Sequence, residues 1–249
     1  MLRLCLKSIR STIDKQLSYE VIVVDSFTQS KNKLIIKNEF PEVNFYPFKK
    51  NLGYSRGVNM GIFKSKGKYV LVLNPDIIVK QGSVETMLAY LKKHEDVGMI
   101  GPKMMNFNGT YQNTYFRFYK PLTILVRRSF FGKLPIFKKI ENDFLMNDTN
   151  PNKIQTPDWI MGSAMMIPRA AIKKVGLMDE RFFMYFEAVD WCRRFWHNGY
   201  KVVYLPAAVM YHYHQRESKS KWGILDPLFN KKTRWHLISA IKYFLKYEA

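Results

Sequence analysis

Two short runs, "EVIVVDS" (20–26) and "YVLVLNPD" (69–76), constrain the fold more than anything else in the sequence. Each is a β-branched, apolar stretch that closes on a carboxylate, and helix-like text lies between and after them. Strands that are apolar throughout, without polar alternation, have to be covered on both faces. The runs therefore predict an α/β protein with a parallel or mixed sheet flanked by helices. In such sheets ligands bind beyond the carboxyl ends of the strands, where Asp25 and Asp76 fall.

The rest of the chain extends this pattern. Residues 82–94 read as an amphipathic helix with Ser83 as N-cap and Met87, Leu88 and Leu91 on one face. A strand is expected at 97–105, a strand followed by a helix at 158–176, a helix at 186–200 closed by Gly199, and a strand at 201–206. Residues 111–140 hold seven Lys or Arg, no acidic residue and eight aromatics. Pro121, Gly132 and Pro135 interrupt any long helix there, so an irregular, mobile region is expected. From 233 to 247, Trp235, Ile238, Ile241 and Leu245 recur at helical spacing in a basic amphipathic helix.

Charge narrows the partners. Lys and Arg number 40 against 20 Asp and Glu, a formal charge of +20, which suits nucleic acid, anionic lipid or a phosphorylated small molecule. Hydrophobic residues, 47% of 249, supply a core of ordinary size. Cys5 and Cys192 are far apart and lack CxxC spacing, which argues against a disulfide framework or zinc site and for a reducing cytoplasm. No apolar run approaches the roughly 18 to 20 residues that span a bilayer, and "MLRLCLKSIR" lacks the unbroken apolar region of a signal peptide. The expectation is a chain that neither spans nor leaves through a membrane by its own signal.

Asp76 is the first candidate for chemistry. An Asp after a buried strand is commonly a turn former or helix cap. Pro75, however, fixes its own φ and removes a donor, presenting Asp76 rigidly, as a hard cation or phosphate-linked ligand requires.

Four segments in order, "NLGYSRGVNMGI" (51–62), "YVLVLNPDIIV" (69–79), "MGSAMMIPRAAIKKVGLMDERFFMYFEAVDWCRR" (161–194) and "GYKVVYLPAAVMYHYH" (199–214), resemble a bacterial family-2 glycosyltransferase of the GT-A fold. The subgroup they resemble is the rhamnosyltransferase-like enzymes of surface polysaccharide synthesis. The resemblance implies a GT-A domain over 1–215, with a nucleotide-binding half (1–105), an acceptor-binding half (106–215) and a basic tail (216–249). It also implies an inverting transfer from a dTDP- or UDP-linked sugar, with Mg²⁺ or Mn²⁺ as cofactor. The acceptor would be lipid-linked or a polysaccharide, and the enzyme would work peripherally at the inner face of the cell membrane, with no nucleic acid partner.

Carried over residue by residue, Asp76 matches the cation ligand of an acidic motif here written Asn74-Pro75-Asp76, and a cation there would neutralise the departing diphosphate. Asp25 matches the contact to the base. Asn51, Gly53, Arg56, Gly57 and Asn59 match a Gly-rich donor-binding segment. His212 matches the histidine that completes the cation site, with His214 pointing to the opposite face if the strand continues. Trp159, Gly162 and Ser163 fall in the acceptor wall, where Trp159 either stacks on a sugar or belongs to the core. Asp179, Glu180, Arg181 and Phe182 form a loop that orders the site. The usual acidic pair departs from pattern, reading Glu187-Ala188-Val189-Asp190. The base is assigned to Glu187, with Asp190 structural or acceptor-binding.

The family's opening strand has no counterpart, because Met1-Leu2-Arg3-Leu4-Cys5-Leu6 already lies in the helix that follows it. A sheet with unpaired edges and weakened nucleotide binding is the expectation. Ala188 and that missing strand also suit a catalytically silent relative of the family. The charge and interleaved aromatics suit, less well, a nucleic-acid-binding protein.

Overall fold

The structure is a computed structural model of the chain and describes residues 1–128, 134–213 and 230–247. Its first half runs α1 (Leu2–Thr12), β1 (Ile22–Asp25), α2 (Ser30–Glu39), β2 (Asn44–Pro47), α3 (Tyr54–Lys64), β3 (Tyr69–Leu73), β4 (Ile77–Val79), α4 (Ser83–Lys93) and β5 (Val97–Met105). The second half adds β6 (Tyr111–Gln112), β7 (Tyr115–Phe116), α5 (Pro121–Arg128), α6 (Pro135–Leu145), β8 (Trp159–Ile160), β9 (Ala164–Pro168), α7 (Arg169–Val175), α8 (Glu187–His197), β10 (Lys201–His212) and α9 (Lys231–Tyr247).

The central sheet follows the order β3-β9-β5-β10-β4, with β6 beside β5. Apolar strands are covered on both sides because alternate residues serve two cores. Met165, Ile167, Val202 and Tyr204 join one cluster with α8. Their neighbours Ala164, Met166, Val203 and Leu205 join the other, with α1, α2 and α4. The central sheet is mixed, as expected, but its ladders are mostly antiparallel: only β5–β10 is parallel, and β1 and β2 pair in parallel as a separate two-stranded sheet.

Two features of the sheet position the site. β3 and β4 end the strand path at opposite sides, yet Asn74, Pro75 and Asp76 alone join them. The path must therefore curl until its ends meet, and Asp76 lies at the junction. In addition, β1 pairs only with β2, and β3 pairs only with β9. Among the described residues no ladder joins β1 to β3, and every residue of both strands stays half-exposed.

Several expectations change. Residues 111–128 are ordered by packing: Phe116 stacks on Trp159 with ring centroids 4.5 Å apart, and Phe144 and Tyr119 close around them. Ser83 is the first residue of α4, not its cap. Gly82 caps the helix at φ 78°, and the Ser83 hydroxyl instead donates to the Val209 carbonyl and pins α4 to β10. The strand expected at 201–206 runs on to His212 through an irregularity between Leu205 and Val209. Finally, α9 is no free tail. Its Thr233, Ser239, Ala240 and Tyr243 are buried against the domain.

Candidate active site

Asp76 is held by backbone on both sides. Asn74 N–H donates to the Ser163 carbonyl at 2.9 Å, and the Asp76 carbonyl accepts from Tyr213 N–H at 3.0 Å. Pro75 between them contributes fixed φ and no donor of its own. The carboxylate is 30% exposed, and its Oδ2 lies 3.4 Å from His212 Nε2. Its Oδ1 is covered and has no hydrogen-bond partner. Such a buried oxygen is costly unless a ligand satisfies it.

His212 is 4% exposed, and its Nδ1 lies 3.0 Å from Gln112 Oε1. The Gln112 contact fixes the ring so that Nε2 faces Asp76. Cis ligands of a cation bound at about 2.1 Å stand about 3 Å apart, so an Asp and a neutral His at this spacing, with one carboxylate oxygen unsatisfied, fit Mg²⁺ or Mn²⁺. No cluster of three or more His, Cys, Asp or Glu exists among the described residues. The remaining ligands of such a cation would have to be water or substrate oxygens, as is usual for Mg²⁺. His214 lies outside the described residues.

Behind Asp76, Cys5 of α1 approaches the Asn74 carbonyl at 3.8 Å. Burial first, and then the Asp76 charge, push its thiol up to about 12, so it is packing and not a nucleophile.

Glu187 opens α8, and the two residues before it both have left-handed backbone, Tyr185 at φ 69° and Phe186 at φ 64°. Consecutive non-glycine residues in that region persist only where packing holds them. Phe186 packs on Tyr119 and Tyr243, and Tyr185 on His236. The turn delivers a half-buried Glu187 whose Oε2 is covered and unpartnered. Burial raises its pKa to about 7, a hydrogen bond from its own backbone N–H opposing the shift.

Tyr54, which the sequence reading passed over, ties these parts together. Its hydroxyl donates to the Gly162 carbonyl. Burial raises its pKa far above the usual phenol value, with smaller contributions from the Glu187 and Asp76 charges, so it stands within electrostatic reach of both carboxylates. Gly162 lets these groups close together, since a Cβ there would come within 3.3 Å of both the Ala188 Cβ and the Tyr54 hydroxyl. Ser163, buried beside it, has a hydroxyl without a partner. The only sequence signal for Tyr54 was a hydroxyl-bearing ring placed straight after Gly53.

The Gly-rich segment lies alongside. Asn51 Oδ1 accepts from Gly53 N–H at 2.9 Å and from the Ser26 hydroxyl at 3.2 Å, joining it to the end of β1. Gly53 has φ 79°, and a Cβ on it would lie 2.5 Å from the Phe183 carbonyl oxygen, so only glycine fits. Asp25 is engaged by Asn32 Nδ2 at 2.9 Å. Arg56 pairs with Glu180 at 3.2 Å on the surface.

Three expected site residues have other work. Asn59 is buried and bonds both ways to the Met178 backbone, fixing α3 to the loop before α8. Trp159 has Phe116 and Tyr119 stacked on it and donates its indole N–H to the Arg117 carbonyl, so its ring belongs to the core and not to an acceptor. Asp190 is fully buried and saturated: Arg194 Nε at 2.9 Å, Lys246 Nζ at 2.6 Å and the Tyr247 hydroxyl at 2.7 Å. It locks α9 onto α8 and has no open oxygen for an acceptor proton. Lys246 also bonds Asp179, whose carboxyl is held well below the usual range by Arg181 first and Lys246 next.

Removing one partner from a buried charge cluster leaves the others uncompensated. Asp190→Asn is therefore expected to lower stability by about 3 kcal/mol or more in denaturant titration. If Glu187 is the base, the pH midpoint of activity should not move. A variant of unchanged stability that had lost turnover would return the base to Asp190.

A mixed α/β sheet with a rigid Asp at a strand junction and a raised carboxyl at the start of α8 fits a GT-A-type glycosyltransferase. The chain belongs to glycosyl transferase family 2, whose pattern matches residues 1–170. It is similar to the rhamnosyltransferase WbbL of Escherichia coli, 26% identical over an alignment of 242 positions, gaps included, that covers 92% of this chain and 83% of that protein. It is also similar to an N-acetylglucosaminyl-diphospho-decaprenol L-rhamnosyltransferase of Mycobacterium tuberculosis, 26% identical over 78% of this chain and 66% of that one. In three dimensions it resembles GalNAc-T7, crystallised with UDP, GalNAc and Mn²⁺, with a TM-score of 0.64 and 17% identity over 85% of this chain and 40% of that one.

Proposed function

We propose that this glycosyltransferase moves a sugar, rhamnose, from a dTDP- or UDP-linked donor to a lipid-linked acceptor of cell-surface glycan synthesis, with inversion, at the inner face of the membrane. The observation that carries the reading is the pair of unsatisfied carboxylate oxygens, one on Asp76 and one on Glu187, with Tyr54 in electrostatic reach of both. The names of the two rhamnosyltransferases support the sugar, and the decaprenol of the second supports a lipid-linked acceptor.

The residues divide the work by chemistry. Glu187, with a pKa near 7, accepts the acceptor hydroxyl proton as that oxygen bonds to the anomeric carbon and the bond to the diphosphate breaks. A single displacement with one base inverts the anomeric centre. Asp76 and His212 would hold Mg²⁺ or Mn²⁺, which when bound neutralises charge on the leaving nucleoside diphosphate. Asn51 and Gly53 shape the donor side, and Asp25 at the end of β1 contacts the base. Gly162 and Ser163 line the acceptor side. Residues 1–105 thus form the donor half and 106–213 the acceptor half, with α9 packed on the latter.

The test is a panel of dTDP- and UDP-sugars offered with a short-chain polyprenyl-diphosphate sugar, with and without Mn²⁺. Transfer from dTDP-rhamnose with release of dTDP is expected. Neither donor binding nor turnover with any member of the panel would overturn the reading.

A further inference from the structure

Helix α9 is amphipathic in the opposite sense to a helix that buries its apolar stripe. At about 100° per residue, Lys231, Arg234, Ile238, Ile241 and Leu245 share one face. On that face Ile238 is 49%, Ile241 60% and Leu245 68% exposed. The face turned to the protein holds Thr233, Ser239, Ala240 and Tyr243. Three large aliphatic side chains on one exposed stripe need an apolar partner. The helix has five basic residues and no acidic one in a chain of net charge +20, which selects an anionic partner. No helix among the described residues is long and apolar enough to cross a membrane.

We propose that α9 lies on an anionic lipid bilayer, with Ile238, Ile241 and Leu245 among the acyl chains and Lys231 and Arg234 at the headgroups. Its inner face grips the loop that leads to Glu187. Trp235 packs on Phe183, the Ser239 hydroxyl donates to the Met184 carbonyl, Lys242 Nζ donates to the Arg181 carbonyl, and Tyr243 packs on Phe186. A bilayer bound to the outer face is thereby one helix thickness from the base-bearing turn. That consequence for catalysis rests on the proposed lipid-linked acceptor; the docking itself does not.

The probe is co-sedimentation with vesicles of phosphatidylcholine alone or mixed equally with phosphatidylglycerol. The full chain is expected to bind the mixed vesicles. The triple variant Ile238→Asn, Ile241→Asn, Leu245→Asn should lose roughly a hundredfold in partition while keeping its melting temperature, since all three side chains are exposed. Lys231→Gln with Arg234→Gln should lose about fivefold per charge on mixed vesicles only, and serves if the triple variant misfolds. Donor hydrolysis by the triple variant should match the parent, which separates failure of docking from failure of the transferase reading. Unchanged partition of both variants overturns the proposal. So does a parent that ignores vesicles but forms a dimer that the triple variant cannot, which would assign the stripe to a second copy of the chain.

Discussion

Glu187→Gln is expected to lower kcat by about a thousandfold while leaving donor affinity within a factor of two. A positioned general base contributes roughly 10² to 10⁴, and the amide keeps the shape and loses the proton acceptor. In the parent, kcat/KM should rise with pH through about 7, because Glu187 must be ionised to accept the proton and burial holds its pKa at about 7. The variant should lack that limb. A second readout has the opposite sign. A carboxyl whose folded pKa lies above its unfolded value binds more protons when folded, so stability falls as pH rises from about 4.5 to about 7. Replacing Glu187 by the neutral amide removes that loss. The variant should therefore melt above the parent at pH 8, with the gap closing toward pH 5. An active variant with an unchanged pH limb would place the base elsewhere.

These arguments rest on residues of unequal legibility in the sequence. β3 and the junction at Asp76 were readable because both signals are local: an apolar run, then a proline beside a carboxylate. Glu187 was readable as a base only through family resemblance. What made it a strong candidate, a covered oxygen and a turn with two left-handed residues, follows from aromatic packing across 119, 185, 186 and 243. Asp190 illustrates the same limit. Its role is fixed by Lys246 and Tyr247, more than fifty positions away, and no local spacing points to them. In α9 the helical period is legible, and Ile238, Ile241 and Leu245 of its stripe face outward while Trp235 turns in to Phe183. The inner face carries small and hydroxyl-bearing residues because it meets backbone carbonyls and a charged cluster as well as the aromatic edge of the core. Residues 111–128 looked irregular for a related reason: their aromatics pack on Trp159, some forty positions further along.

Asp76→Asn should reduce kcat/KM by a hundredfold or more and abolish the dependence of donor affinity on Mn²⁺. The substitution preserves volume and the backbone bonds from Asn74 and Tyr213, so any loss is one of charge. An amide oxygen still fills the covered Oδ1 position, but it offers a cation no net charge and leaves the diphosphate facing a neutral junction. The direct measurement is calorimetric titration of dTDP or UDP with and without Mn²⁺. The parent should bind more tightly with the metal, and the variant equally with or without it. His212→Ala should show the same pattern to a smaller degree, because Nε2 at 3.4 Å from Asp76 would supply a second ligand beside the carboxylate. Gln112→Ala would weaken metal dependence through His212 alone, since the Nδ1 contact orients the ring. If Asp76→Asn bound nucleotide as the parent does, with the same response to Mn²⁺, Asp76 would be a turn residue after all. The carboxylate at the strand junction would then need another explanation for its uncovered charge.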